Sequence, residues 1–444
     1  MFYKCLHHIE RVYATKEIAD RIFSKLDFDE ESFFLEELQN KKGYALSHLC
    51  LLLNYAFAER NLTKILVILK HLTQMILLVE NVKLQPEFFK FHVITICLEV
   101  YKMCDDPAIY EFLFCCLCIF TKFDNSISIV LIEKEFVQFS LQYLNYYPNI
   151  ILPALSNIAS VSKASRDSVL TYFTIEDSMK LFRNEENLRE LLMNLLLNYS
   201  IFEFSEESFE SCFKLMRMFY VIIKKEMVEN FTNPLFGIHN ILLNLKHKIN
   251  LPFSITNLVS LITSQDKCNY FSISALILAD LTRFKYDELI GFNFLGFFEE
   301  CFVNSESKNS EKNEICASFM LKKFILNEYC ENLILSYDII TKYIENSVFC
   351  AIWELYKCVA IIFLYADNET LLILFEKGVI SLLLEGIQVK QSKLFCQALH
   401  KAITVSDSLN IDIKKPEILT VLDSLQNNDS IASLIRLLQN DTES

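Results

Sequence analysis

The chain has 444 residues, only 6 Gly and 7 Pro, and a 52% apolar fraction. It is too long for one compact core and too poor in glycine for tight hairpins or phosphate-cradling loops. With 56 acidic against 42 basic side chains its formal charge is −14, which repels phosphate backbones and attracts basic peptides.

No nucleic-acid partner is therefore expected, although acidity alone also keeps an apolar chain in solution. The mean hydropathy of +0.27 demands either a membrane or a large buried area. A membrane span needs about twenty apolar residues, whereas the longest clean runs, Phe112–Phe120 and Cys358–Ala366, have nine each. No membrane partner is expected. Met1-Phe2-Tyr3-Lys4-Cys5 lacks the basic-then-apolar order of a signal peptide. A cytoplasmic or nuclear location with the 15 cysteines reduced is the expectation.

In chain order, residues 1–60 read as amphipathic helices forming an N-terminal helical cap. Residues 61–410 read as a repeat array of an apolar helix, a polar turn and a second apolar helix. One copy is Glu111–Asn125 followed by a helix over Ile127–Leu144. The next is Ile151–Ser160 followed by Arg166–Leu170, and a later one is Ile273–Arg283 followed by Tyr286–Ile290.

A slot near the end of each first helix holds Ile119, Asn157, Asn198 and later Asp280, at intervals of 38, 41 and 82 residues. A copy around Pro234–Leu245 fills the doubled interval. Such a period, about forty residues, is that of armadillo and HEAT arrays. It predicts an all-α fold, a right-handed α-solenoid of armadillo-type repeats whose units bury their apolar faces on one another.

Pro148 and Pro153 fall at or near helix starts, and Gly378 suits a left-handed helix C-terminus. The run Asn304–Asn313 has no apolar residue and reads as a flexible loop. Pro416 opens a C-terminal capping pair within 411–438, Glu417–Leu425 and Ser430–Leu438, and 439–444 is a polar tail.

Chemistry is hard to find. Cys115, Cys116 and Cys118 crowd one apolar helix without a second pair at zinc spacing, so core packing is expected and no metal. The eight histidines are scattered, and no H-E-x-x-H, G-x-S-x-G or glycine-rich phosphate loop occurs. The chain is expected to be a binding scaffold, with no cofactor and no enzymatic activity. Trp353 is either a core residue or an exposed stacking platform for a peptide.

Ala154-Leu-Ser-Asn-Ile-Ala159 with Arg166-Asp-Ser-Val-Leu170, the stretch Asp367–Leu383 and the segment Ile418–Ser430 resemble the importin-α adaptors of nuclear import. The resemblance covers residues 105–438 in patches. In that family an asparagine amide holds the cargo backbone, and a tryptophan four residues earlier sandwiches lysine stems.

The resemblance implies peptide-binding roles for Asn157 and Asn198, with Asn194 and Asp280 as further groove candidates. The tryptophan positions do not match: Pro153, Asn194, Cys115 and Leu276 stand there. The basic leader that recruits an importin-β-like carrier is also missing, since residues 1–30 mix both signs. Two functions follow as expectations. One is a divergent import adaptor binding a basic extended peptide or protein segment. The other is an armadillo scaffold with no transport role, its asparagines inherited or capping turns.

Overall fold

The computed structural model describes residues 21–22, 46–78, 92–264, 270–303, 310–330, 332–389, 392–409, 411–413, 415–425 and 429–440. Its regular structure is helical throughout, with no strand among the described residues, as the all-α expectation required. Most of the expected cap at 1–60 and residues 441–444 of the tail lie outside the described residues. The chain divides into two compact units, residues 1–244 and 245–444.

The first unit opens with α1 (Leu46–Ala58), α2 (Leu62–Leu78) and α3 (Val93–Met103). Then come α4 (Pro107–Phe123), α5 (Asn125–Glu133) and α6 (Phe136–Leu141), followed by α7 (Pro148–Ala159), α8 (Lys163–Tyr172) and α9 (Ile175–Asn184). It closes with α10 (Arg189–Ser200), α11 (Phe209–Lys224) and α12 (Thr232–Asn244). Helices α2, α4, α7, α10 and α12 form a row, each packed on the next. Residues 112–121, 150–160 and 195–200 of this row are all buried. A helix apolar on every side has to be enclosed by neighbours.

The second unit contains α13 (Ile255–Ile262), α14 (Phe271–Thr282), α15 (Phe294–Val303) and α16 (Ser310–Leu326). It continues through α17 (Leu333–Ile344), α18 (Phe349–Tyr365), α19 (Asn368–Glu376) and α20 (Val379–Val389). The last three are α21 (Lys393–Ser408), α22 (Lys415–Asp423) and α23 (Asp429–Asn440). Here the packed row is α14, α16, α18, α21 and α23. In both rows successive members begin about forty residues apart.

Polar turns start the helices. Asp106 accepts from Ala108 N–H (2.8 Å) ahead of Pro107, and Asp124 both ends α4 and caps α5 through Ser126 N–H (2.9 Å). Thr174 and Asp177 close a reciprocal capping box on α9, and Asp367 caps α19 through Thr370 N–H at 2.8 Å. Each such cap satisfies a donor that the helix cannot bond internally. Gly378, at φ 77°, occupies the left-handed turn between α19 and α20. Elsewhere this glycine-poor chain places Glu135, Glu226, Lys285 and Glu328 at positive φ.

Several local expectations need correction. The helix over Ile127–Leu144 is two helices, α5 and α6, because Glu135 at φ 58° interrupts the right-handed path. Tyr286–Ile290 is not a helix; only a 3₁₀ turn, Asp287–Leu289, forms there. Lys285 enters it left-handed and the Tyr286 hydroxyl is tied to Ile249 O at 2.7 Å. Pro153 stands inside α7, past its first turn. Of the expected loop, 304–309 lie outside the described residues and 310–313 begin α16, where Glu314 Oε2 accepts Val348 N–H at 3.0 Å.

Candidate functional site

The traced slot falls on the central rows. Asn157 on α7 and Asn198 on α10 are each only 1% exposed. Asn198 Nδ2 donates to Ser156 O (2.9 Å) and Ser156 Oγ (2.7 Å) on α7. Asn157 Nδ2 donates to Thr121 Oγ1 at 3.2 Å, with Cys118 O at 3.5 Å, both on α4. Its Oδ1 has no hydrogen-bond partner among the described residues.

Asn240 on α12 continues the series, its Nδ2 donating to Ser200 Oγ at 3.1 Å. Sequence reasoning placed a copy here without singling out this residue, although the slot spacing leads to it. In the second unit Asn327 Nδ2 donates to Thr282 Oγ1 at 3.1 Å. The accepting hydroxyls donate in turn to their own helices: Thr121 to Cys118 O (2.7 Å), Ser200 to Leu197 O (2.6 Å) and Thr282 to Ala279 O (2.7 Å). Amide and hydroxyl thus form short chains in which each bond polarises the next. They tie one central helix to its predecessor.

Arg166, quoted above for its sequence resemblance, is a second tie. Its guanidinium is fully buried on α8 and donates to Tyr199 O (3.4 Å) at the end of α10 and to Phe202 O (2.5 Å) and Glu203 O (3.0 Å) just beyond it. Asp167 Oδ1 balances the charge at 2.7 Å, and the Phe204 ring lies 4.3 Å away. An arginine fork suits this cluster of carbonyls because its donors are planar and fixed.

Asp280 lies on α14, 7% exposed. Burial and the neighbouring Lys322 lower the Lys323 ammonium from its ordinary value, and Asp280 opposes that shift. Ile119, in the earliest slot, is core. Trp353 is half-buried, 5.4 Å from the Phe395 ring, with Lys357 Nζ at 4.5 Å. Beside it Glu354, 8% exposed, accepts from Lys357 Nζ at 2.6 Å and from Lys322 Nζ.

Asn194 has a different setting from the other slot residues. It is half-buried and faces a cleft of about 470 Å³ between the first turns of α10 and α12. Asn233 Nδ2 donates to Asn194 Oδ1 at 2.8 Å across it, and Asn230 Oδ1 accepts Thr232 N–H at 2.8 Å. Glu186, Glu190 and Glu229 line the same cleft against a single cation, Arg189, which Glu186 already holds at 2.7 Å. Glu190 and Glu229 are exposed and enter no ion pair among the described residues. A carboxylate in the first turn of α10 also complements its helix dipole. The amides supply donors and acceptors for a peptide backbone, and the carboxylates supply charge for basic side chains.

The structure therefore divides the four predicted residues. Asn157 and Asn198 sit inside the first unit, Asn194 opens to a cleft in that unit, and Asp280 belongs to the second. Burial raises the thiols of Cys97, Cys212 and Cys316 to about 12 and that of Cys116 well above its ordinary value. Those sulfurs are poor nucleophiles at neutral pH. Among the described residues no group of three or more His, Cys, Asp or Glu side chains is arranged to hold a metal, and no helix is long and apolar enough to cross a membrane.

No protein-family profile matches the chain, and no curated protein matches it. Among solved structures it is similar to the crystal structure of an engineered protein from the Northeast Structural Genomics Consortium, with a TM-score of 0.60. The match has 13% sequence identity and covers 90% of this chain and 99% of that one. At that identity the likeness concerns the fold alone.

Proposed function

We propose that this chain is a right-handed α-solenoid of armadillo-type repeats, a non-enzymatic scaffold that binds a basic, extended peptide or partner segment at the cleft between α10 and α12. The observation that carries the reading is Asn194, standing in a cleft with Asn233 across from it and with Glu190 and Glu229 in no ion pair among the described residues. Central helices that repeat about every forty residues support the armadillo assignment. A cytoplasmic or nuclear scaffold is the form this reading takes.

Within it, a divergent importin-α-like adaptor is the reading suggested by the sequence resemblance. Asn157 and Asn198 lend that reading no support, because their Nδ2 groups are committed to α4 and α7. A scaffold without a transport role is favoured by that commitment.

Fluorescence anisotropy with a labelled lysine-rich localisation peptide tests the site. Binding is expected at low salt and should weaken as salt shortens the screening length to about 10 Å at 0.1 M. Each exposed charge pair is worth about 0.2–1 kcal/mol, so Glu190→Gln with Glu229→Gln should weaken binding by up to about thirtyfold. Folded protein that ignores the peptide at low salt, or binding indifferent to both substitutions, would overturn the proposal. Capture of an importin-β-like carrier separates the adaptor from the scaffold.

A further inference from the structure

On the other side of Met227 from the acidic cleft, the first unit has a second opening, of opposite sign. It measures about 460 Å³ and runs between α9 and α11. Phe182 and Met218, 1% and 4% exposed, close its floor. Met179, Val221 and Met227 line it and are half-buried. Arg183, Lys214, Arg217 and Lys225 face Glu176 as the one carboxylate in the lining.

Lys214 is already engaged. It pairs with Glu176 and, at 2.8 Å, with Glu210, and the two carboxylates push its ammonium up to about 12. Arg183, Arg217 and Lys225 are exposed and enter no ion pair among the described residues. The chain carries a net charge of −14, so acidic groups are plentiful as partners. Three exposed cations with no ion pair among the described residues thus ring an apolar floor.

We propose that this groove docks a short amphipathic helix of a partner protein. A bulky apolar side chain of that helix sits over Met179, Met218 and Met227, and carboxylates on its flanking turns meet Arg183, Arg217 and Lys225. The chemistry favours this occupant. Unbranched methionines reshape around an apolar anchor. An amphipathic helix presents its anchors at i, i+3, i+4 and i+7 while keeping charges at the rim. Arginine forks take carboxylates in pairs, with directional donors. The basic peptide proposed for the α10–α12 cleft is repelled here, so the two openings accept opposite partners.

The test uses the full chain and a fluorescein-labelled helical peptide with Leu and Phe at i, i+3, i+4 and i+7 and Glu elsewhere. Two controls are a scrambled peptide of the same composition and a polyglutamate of the same length, and a third is a labelled single-stranded oligonucleotide. The amphipathic peptide is expected to bind at least tenfold more tightly than any control. Arg183→Glu with Arg217→Glu, both at exposed positions, should weaken it at least tenfold with an unchanged circular-dichroism spectrum. Met179→Asp should weaken it too, through the apolar lining. Glu190→Gln with Glu229→Gln should leave it unchanged, which separates this groove from the acidic cleft. Equal binding of polyglutamate or oligonucleotide would reduce the groove to a charged patch and overturn the proposal. Indifference to the charge reversal, or absence of amphipathic-peptide binding, would overturn it as well.

Discussion

Replacing Asn198 by alanine separates a structural amide from a ligand-binding one. The substitution removes two buried hydrogen bonds, to Ser156 O at 2.9 Å and Ser156 Oγ at 2.7 Å. Each such bond contributes about 0.5–1.5 kcal/mol net, and an acceptor left unsatisfied costs more. Ser156 O is not orphaned, since it also accepts Ser160 N–H at 3.1 Å, so the loss should stay near the sum of the two bonds. A small void where the amide stood adds to it. The expected destabilisation is about 2–3 kcal/mol, or a fall in melting temperature of roughly 4–10 °C for a unit of this size. Urea denaturation followed by circular dichroism measures it. The cycle with Ser156→Ala should give a coupling of about 1–2 kcal/mol. Asn157→Leu is the contrast: its bonds are longer and its Oδ1 has no partner among the described residues, so a side chain of similar shape should cost under about 1 kcal/mol. If Asn198→Ala leaves stability within about 0.5 kcal/mol of the parent while abolishing peptide binding, the amide holds a ligand and does not tie α10 to α7.

Arg166→Ala should cost at least about 3 kcal/mol, because it removes a buried guanidinium with its bonds to the carbonyls of Phe202 and Glu203 and leaves a void in its place. Arg166→Lys should restore little, since one ammonium cannot reproduce the fork; full rescue by lysine in denaturant titrations would refute this. Burial raises the Glu354 carboxyl, but Lys322 and Lys357 outweigh it and hold it below its ordinary value. Its stabilisation is therefore complete above the unfolded value near about 4.3 and is lost as pH falls through the lower folded value. Glu354→Gln should cost about 3 kcal/mol at pH 7, a gap that narrows as pH falls through the lowered folded value when melting is followed against pH. A gap of the same size at every acidic pH would count against the ion cluster. A Cβ added at Gly237 in α12 would collide with the Phe219 ring of α11, so Gly237→Ala should lower stability by about 1–3 kcal/mol. Phe219→Leu in the same chain should recover part of that loss, and additive losses would show that the ring is not the obstacle.

The helical rows were legible because their cause is local. Apolar positions at helical spacing, interrupted by residues such as Asp106, Asp124 and Asp367 that cap the next helix, give the period before any tertiary contact is known. The breaks at Glu135 and Lys285 were not legible. A left-handed glutamate or lysine has no compositional mark, unlike Gly378 at the same kind of turn. The asparagine slot was found but not its environment. Periodicity shows that Asn198 recurs on the same face as Asn157; it does not show that Ser156 stands 2.7 Å from the amide. Arg166 was noticed for its resemblance to a family motif, whereas its burial against three carbonyls depends on residues more than thirty positions away.

Asn194 and Asn198 share a helix and lie one turn apart, yet one lines a cleft and the other is enclosed. The difference lies in what the neighbouring helix offers at each level. Toward the end of α10, Ser156 of α7 closes on Asn198 with two acceptors. Toward its start, α12 presents Asn233, whose own amide is satisfied by Asn194 Oδ1 at 2.8 Å, with Glu190 and Glu229 beside the opening. Satisfied amides at one end hold the helices together, so the opening at the other end costs the stack little. Stability and binding can then be altered separately: substitutions at Asn198 and Ser156 should move the denaturation midpoint, and substitutions at Glu190 and Glu229 should move peptide affinity. Because Asn233 and Asn194 bond across the cleft, a ligand that uses either amide has to replace that bond. Asn233→Ala should therefore free Asn194 Oδ1 for a backbone N–H donor while removing a competing donor, and calorimetry with the lysine-rich peptide should show affinity unchanged or improved. A loss of more than about tenfold, 1.4 kcal/mol, would mean that Asn233 itself holds the ligand.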